Sequence, residues 1–559
     1  MGARVLVVGL DGADWAILDP LLAEGACPHL ASVIEQGARA TLRSTVPPIT
    51  FPAWSSFLTG VNPGRHGLLD FVAWTPGRYD LRFVSGSHRR VPTLLERLDQ
   101  AGLAAAAVGF PGTWPPPRLK QGFVLAGFDA PVAIGPGPDF AWPRPLYERL
   151  VRRHGPWVYA DVDELKVGPR WYRGARRALL AGLRRKARLA EALLEERHWD
   201  LFAVHVGETD TAGHHFLALH DPASPRRPER VDPVAAGTLR DVYCAADRFL
   251  GRLLHAAGAE AVLVASDHGM VGSSDRVFHL NRALHAGGFT ELRHPGHRAR
   301  LGDGVRRALL RHLPARTKEW IFRQLRSTAS RMERERRLGG VDLAASAAFS
   351  EETGYAPSVR LNVRGRDPCG VVAPDEVEGV RRAVSDWLLA LRDPDDGQSL
   401  VARVDPREAV LWGPAVEAAP DLYLTLGRDR GYTWTLLPSA GPGPYVTRLE
   451  GRARLGGKGR GTVGVHRPEG VLILSGAGVD LPRVVPIWDC APTLLELCGV
   501  KPPPGLDGRS LLSPACPQPA ASTPAPVVPA QLRQVPPLTY GPEEEAVVAA
   551  RLRALGYLE

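Results

Sequence analysis

At 559 residues, 44% of them hydrophobic and 23% charged, the chain has the proportions of a soluble globular protein, with length for one large domain with insertions or for two to three domains. No window holds the roughly eighteen uninterrupted apolar residues of a membrane span, and six widely spaced cysteines without a C-x-x-C pair exclude a cysteine-based zinc or redox centre. Sixty-nine basic residues against 60 acidic ones leave a net charge of +9, which suits an anionic substrate without identifying one.

Met1 to Arg4 runs straight into the strand-like Val5–Gly9 with no apolar segment and cleavage site, so no secretory signal is evident and the cytoplasm is the expected compartment. That strand ends in Gly9-Leu10-Asp11-Gly12-Ala13-Asp14, where Asp11 is either a metal ligand off the sheet edge or a cap for the next helix. A helix is expected to start at Pro48-Ile49-Thr50-Phe51-Pro52, with Thr50 at the N-cap and Pro52 tolerated in the first turn. Its open amides suit an anion. The Thr50 hydroxyl is an ordinary cap or, with its pKa lowered by a metal, a nucleophile.

Further strand-like runs at Ala104–Gly109, Leu201–Val206, Ala261–Ala265 and Gly470–Ser475 alternate with helical stretches, the pattern of an α/β protein with a mainly parallel sheet. Polar clusters follow these strands, at the ends where open α/β sheets place their sites. After Val206, Asp210 and His214 stand four residues apart and converge on one ion if the segment forms a helical turn; otherwise they belong to a polar loop. After Ala265 come adjacent Asp267 and His268, then Gly269, which permits close backbone approach.

Residues 1–285 form the first part of the core. Residues 286–347 interrupt it with an Arg-rich helical stretch, densest from Arg306 to Arg337, read as an inserted cap and a candidate surface for nucleic acid, an anionic polymer or lipid head groups. Interspersed Asp303, Glu333 and Glu335 equally fit a solvated helical face. The core resumes over 348–512, through Pro357–Val363 and Asp421–Leu426, and supplies His466, ligand or structural histidine, before its last strand. A Pro/Ala-rich linker occupies 513–541. A final helix in 542–559 starts acidic at Glu543 to Glu545 and carries Arg551 and Arg553 near its end, as the helix dipole prefers.

The order and content of these segments resemble the type I phosphodiesterase and nucleotide pyrophosphatase family of the alkaline phosphatase superfamily, most closely its intracellular bacterial branch of predicted phosphohydrolases and phosphomutases. The resemblance runs from Val5 to about Leu512, where Asp489–Leu495 and Leu506–Leu511 look like the family's closing signature. It implies an alkaline-phosphatase-like three-layer α/β/α core. It also implies two divalent ions, zinc or else manganese, one held by Asp210, His214 and His466 and the other by Asp11, Thr50, Asp267 and His268. The implied reaction is hydrolysis of a small phosphorylated substrate, a phosphodiester or nucleotide pyrophosphate, through a covalent phospho-threonine at Thr50. Alternatives are a phosphomonoesterase or phosphomutase of the same superfamily, or a non-catalytic protein binding anions through the basic insertion.

The segment Thr50-Phe51-Pro52-Ala53-Trp54 lacks the Cys or Ser and the Arg of a sulfatase frame, and threonine in place of serine favours the phosphodiesterase side. Nucleotide pyrophosphatases of the family carry an asparagine twenty-one residues after the nucleophile; Phe71 stands there in this chain. Arg467, Arg360 and Asn362 are further candidate phosphate contacts.

Overall fold

The computed structural model describes residues 2–75, 77–129, 140–160, 162, 167–293, 334, 337–338, 340–457, 460–512 and 540–554. The apolar run Val5–Leu10 forms the strand Gly2–Leu10 at the middle of a nine-stranded sheet. Its side chains alternate: Leu6, Val8 and Leu10 enter one apolar core, Val5 and Val7 the other. A strand apolar on both faces must be covered on both faces. One layer holds the helices Pro28–Glu35, Pro169–Glu196 and Thr238–Ala257; the opposite layer holds Thr50–Thr59, Leu94–Gln100 and Cys490–Leu497. In Pro169–Glu196 the buried residues Tyr172, Ala175, Leu179, Leu183 and Ala187 recur every three to four positions and turn one stripe to the sheet. The expected three-layer α/β/α architecture is the one observed.

Across the sheet the order is Val484–Pro486, Gly37–Arg43, Glu469–Ser475, Ala261–Ala265, Gly2–Leu10, His198–Val206, Ala105–Val108, Phe123–Leu125, Ala141–Trp142. The block from Ala261–Ala265 to Phe123–Leu125 is parallel, while Glu469–Ser475 runs antiparallel to both its neighbours. Three adjacent central strands, at Ala261–Ala265, Gly2–Leu10 and His198–Val206, therefore end side by side. Parallel neighbours lie about 4.8 Å apart, so residues following the three strands fall within reach of one another.

Between Phe278 and Gly464 the chain leaves the main sheet. Here Ala348–Phe349, Ser358–Leu361, Leu422–Leu426 and Val401–Pro406 form a four-stranded sheet covered by Val377–Ala390, with its own core including Val359, Leu361, Val384, Leu388 and Leu422. The strand-like segments at Pro357–Val363 and Asp421–Leu426 thus pair with each other in a smaller sheet, not in the large one. The chain returns through Gly464–Arg467, which pairs antiparallel with Gly269–Phe278 and sets His466 opposite Met270.

The Arg-rich stretch expected as a cap falls largely on residues 294–333, outside the described residues. At its described end Arg337 faces inward, 2.6 Å from Glu351 and 3.7 Å from Asp70, so that arginine is committed to carboxylates of the fold. The last helix spans Pro542–Ala554. Among the described residues no single helix is long and apolar enough to cross a membrane.

Candidate metal centre and nucleophile

Asp11 follows the strand Gly2–Leu10, and its amide donates to the Val206 carbonyl at 2.9 Å, tying it to the neighbouring strand. It does not cap the next helix. That role falls to Asp14, which accepts from the Ala16 amide at 2.7 Å and also pairs with Arg467. Gly12 takes φ +61°, and a Cβ there would come within 2.8 Å of Asp210 Oδ1, so the turn needs glycine to bring the two carboxylates together.

Thr50 is the first helical residue and Ile49 precedes it as the cap, with no side-chain cap bond. The Thr50 hydroxyl is instead 3.0 Å from His268 Nε2. Because His268 Nδ1 lies 3.0 Å from the Gly269 carbonyl, its proton is on Nδ1 and its Nε2 lone pair faces the hydroxyl. Burial, and then His466, hold the His268 pKa down to about 3, so the ring is neutral. Gly269 is required by packing: a Cβ would sit 2.1 Å from the Glu469 carbonyl oxygen.

Residues 208–220 do form a helix, and the four-residue spacing converges as expected, with His214 Nε2 3.2 Å from Asp210 Oδ1. His466 Nε2 is 3.0 Å from His214 Nε2 and 3.6 Å from Asp210 Oδ1. Both rings donate from Nδ1 to carbonyls at 2.8 Å, His214 to Gly464 and His466 to Pro48. Two imidazole lone pairs therefore point at each other and at a carboxylate oxygen, an arrangement that repels unless a cation stands among them. Ligand atoms about 2.0–2.1 Å from a tetrahedral zinc lie about 3.3–3.4 Å apart, so these spacings fit one ion.

A second group joins Asp11, Asp210 and His268. His268 Nε2 lies 3.5 Å from Asp11 Oδ1, 3.4 Å from Asp267 Oδ2 and 3.9 Å from Asp210 Oδ1. Asp11 Oδ1 and Asp267 Oδ2 are buried acceptors with no hydrogen-bond donor. Burial, then the Asp11 and Asp210 carboxylates, push the Asp267 pKa well above the usual carboxylate range. Such a cluster calls for a cation to replace the proton. The expected Asp and His residues are thus gathered in one place, and Asp210 belongs to both groups.

The expected phosphate contacts are held by partners within the fold. Arg467 is bound to Asp14, Arg360 to Glu351 at 3.3 Å, and Asn362 donates to the Leu343, Ser346 and Cys369 carbonyls. Phe71 is buried between Phe51 and Phe128, with ring centroids at 5.2 and 5.9 Å. Conversely, His205 has no expected role, yet its Nε2 lies 2.7 Å from Asp11 Oδ2 and leaves Oδ1 to the cluster. No local motif links two residues 194 apart; only the pairing of their strands does. His205→Ala is expected to weaken metal binding by about 10- to 100-fold, as loss of a ligand-orienting partner does, measured by competition with a chelating indicator. Unchanged affinity would show that Asp11 holds its orientation without the histidine.

Beside Asp11 and Asp210 lies a small pocket lined also by Lys186, Phe128, Trp157 and Tyr159. Lys186 is buried with Glu208 at 2.8 Å, and its ammonium sits 5.1 Å from the Trp157 ring.

The model of the family described as type I phosphodiesterase / nucleotide pyrophosphatase matches residues 5–435. Among solved structures, the chain is similar to phosphonoacetate hydrolase from Sinorhizobium meliloti 1021 in complex with phosphonoacetate, at 16% identity and TM-score 0.51 over 89% of this chain and 96% of that one. The complex of that enzyme with phosphonoformate aligns at 15% identity with the same TM-score and coverage. Human ectonucleotide pyrophosphatase / phosphodiesterase 5 aligns at 12% identity and TM-score 0.47, over 90% of this chain and 97% of that one. No curated protein matches the chain by sequence. The family model covers most of the chain and the buried Asp and His groups supply the ligands its chemistry needs, so the chain belongs to the type I phosphodiesterase / nucleotide pyrophosphatase family, within the alkaline phosphatase superfamily, and is a metal-dependent phosphoester hydrolase.

Proposed function

We propose that the protein hydrolyses phosphodiesters through a covalent phospho-threonine at Thr50. The observation that carries this reading is the position of the Thr50 hydroxyl, fully buried at an open helix N-terminus and 3.0 Å from His268, against the paired Asp and His groups. The residues Asp210, His214 and His466 would hold one ion and Asp11, Thr50, Asp267 and His268 the other, with Asp210 placed to serve both. Bound there, two divalent ions, zinc or else manganese, supply Lewis acidity that lowers the pKa of a hydroxyl and offsets charge on phosphoryl oxygens.

Thr50 Oγ1 gives up its proton and forms the bond to phosphorus while the bond to the leaving oxygen breaks, and the departing alkoxide takes a proton. Water then adds to phosphorus, and Thr50 leaves as the hydroxyl. Amides in the first helical turn, outside the intrahelical ladder, are placed to donate to a non-bridging oxygen. His205 and Trp54 hold Asp11 in orientation, at 2.7 and 3.4 Å from its Oδ2.

A diester, with one charge, fits better than a monoester with nearly two, because Arg467 and Arg360 are committed to carboxylates and Phe71 offers a ring where the family's nucleotide pyrophosphatases have an amide. The test is hydrolysis of bis-p-nitrophenyl phosphate against p-nitrophenyl phosphate with zinc or manganese added and with chelator as control. Chelator-sensitive cleavage with higher kcat/KM for the diester is expected; preference for the monoester would move the reading to a phosphatase. We place the protein in the cytoplasm: Cys27, Cys244, Cys369, Cys490 and Cys498 are all free, which suits a reducing compartment.

A further inference from the structure

Arg226 follows the helix Glu208–His220, which carries Asp210 and His214, and its side chain is fully buried. A buried cation ordinarily takes a carboxylate. Among the described residues Arg226 takes none, and nearby Asp275 pairs with Arg430 and Arg454 at 3.1 and 3.5 Å. The guanidinium is ringed instead by carbonyls of a glycine-rich loop. Its Nε donates to Arg454 at 2.9 Å, its Nη1 to Thr462 at 2.8 Å, and its Nη2 to Arg460 and Gly461 at 3.0 and 3.2 Å. Gly456 and Gly461 take φ +73° and +67°, which lets the backbone curl round the planar fork. This loop leads directly into the metal centre. The Thr462 carbonyl also accepts from Ser273 Oγ at 2.7 Å, and Ser273 Oγ accepts from Arg226 Nη1 at 2.9 Å. The next residue, Val463, donates its amide to the His214 carbonyl at 3.0 Å, and Gly464 accepts from His214 Nδ1. His466 follows two residues on, with its Nδ1 on Pro48 at the entry to the helix of Thr50.

We infer that Arg226 is a positioning residue of the metal centre: it gathers the loop before Val463 so that His466 meets His214, and it governs the ion of Asp210, His214 and His466 and not the ion of Asp11, Asp267 and His268. This rests on the two-ion reading proposed above. The backbone that Arg226 holds is the one on which both imidazoles of the first group are set, and none of its hydrogen bonds reaches the Asp and His residues of the second. A guanidinium presents its donors in a fixed plane, so it sets the direction of each carbonyl as well as its place, which the compact ammonium of lysine does less well. Removing the fork would leave buried carbonyls without donors, and the loop would move to satisfy them.

The test separates the two ions. Zinc binding to the full-length protein, freed of metal with chelator and dialysed, is measured by competition with a chelating indicator. Wild-type protein is expected to bind two ions and His466→Ala to lose one, which checks the two-ion reading with Arg226 unchanged. Arg226→Lys should weaken the ion that His466→Ala loses by about tenfold and the other by less than about twofold, and Arg226→Met should weaken the first further. In the double variant Arg226→Lys, His466→Ala the remaining ion should bind as it does in His466→Ala alone, because both changes act on one site. Melts of the metal-free proteins establish that each variant is folded; if Arg226→Met does not fold, Arg226→Lys alone decides. Equal weakening of both ions in Arg226→Lys, unchanged affinity at both, or a further loss at the remaining ion in the double variant overturns the inference while leaving the two-ion reading in place. Retention of both ions by His466→Ala overturns the ion assignment and the inference together.

Discussion

Thr50→Ala is expected to lower kcat on a phosphodiester by roughly 10⁴- to 10⁶-fold, the scale on which removal of a covalent nucleophile removes the chemical step itself. The substitution is sterically mild. Thr50 sits at the first helical position with a cap that uses no side chain, so the helix loses no capping bond, and alanine is compatible with the helical backbone. What is lost is the oxygen 3.0 Å from His268 Nε2. Bound metal, measured by atomic absorption on dialysed protein, should therefore remain close to wild type, because the Asp and His groups persist. Acid quench of wild-type protein during turnover of a ³²P-labelled diester should trap label on the chain, and Thr50→Ala should trap none. Near-normal turnover in that variant would remove Thr50 from the mechanism. Loss of turnover together with all bound metal would make the hydroxyl a ligand whose removal dismantles the centre.

Asp210→Ala is expected to have the second large effect, because this carboxylate belongs to both ligand groups. Asp210 Oδ1 is 3.2 Å from His214, 3.6 Å from His466 and 3.9 Å from His268. His466→Ala should deplete one ion and leave the Asp11, Asp267 and His268 group able to hold the other. Asp210→Ala should deplete both, with kcat/KM down by roughly a thousandfold or more. Thermal melts give a readout independent of catalysis: binding to the folded state stabilises by about 2.7 kcal/mol when free metal exceeds Kd by a hundredfold. The chelator-induced fall in Tm seen with wild-type protein should be nearly absent in Asp210→Ala. Full retention of one ion with the ordinary chelator response would show that Asp210 serves a single ion.

The site was legible in the sequence wherever its geometry is local. A carboxylate just after an apolar strand, as at Asp11 and Asp267, is carried to the sheet's carboxyl end by the strand itself, and Asp210 and His214 meet because one helical turn spans four residues. Thr50 was legible as a helix start but not as a residue without a capping role. In the same way Asp11 and Asp14 are both acidic and both follow the first strand. Only the contacts to Arg467 and Ala16 make Asp14 the cap and ion-pair partner, and leave Asp11 to the cluster. Arg467 and Arg360, attractive as anion contacts by residue type, were drawn to buried carboxylates, where a desolvated charge costs most if left unpaired.

The sequence by itself determined the α/β class, the parallel core strands and the identity of the residues that meet at their ends, because the periodicity of apolar side chains and the spacing of one helical turn are properties of short segments. Tertiary structure alone decided which segments became neighbours. It set the strand order that places Ala261–Ala265, Gly2–Leu10 and His198–Val206 side by side, the His205 bond to Asp11, and the return of His466 opposite Met270. It likewise separated the smaller sheets from the large one and placed Arg551 of the last helix against Phe128. Each of these depends on contacts between residues far apart in the chain, where the free energy comes from burying apolar surface shared by many segments and no local pattern records the partner.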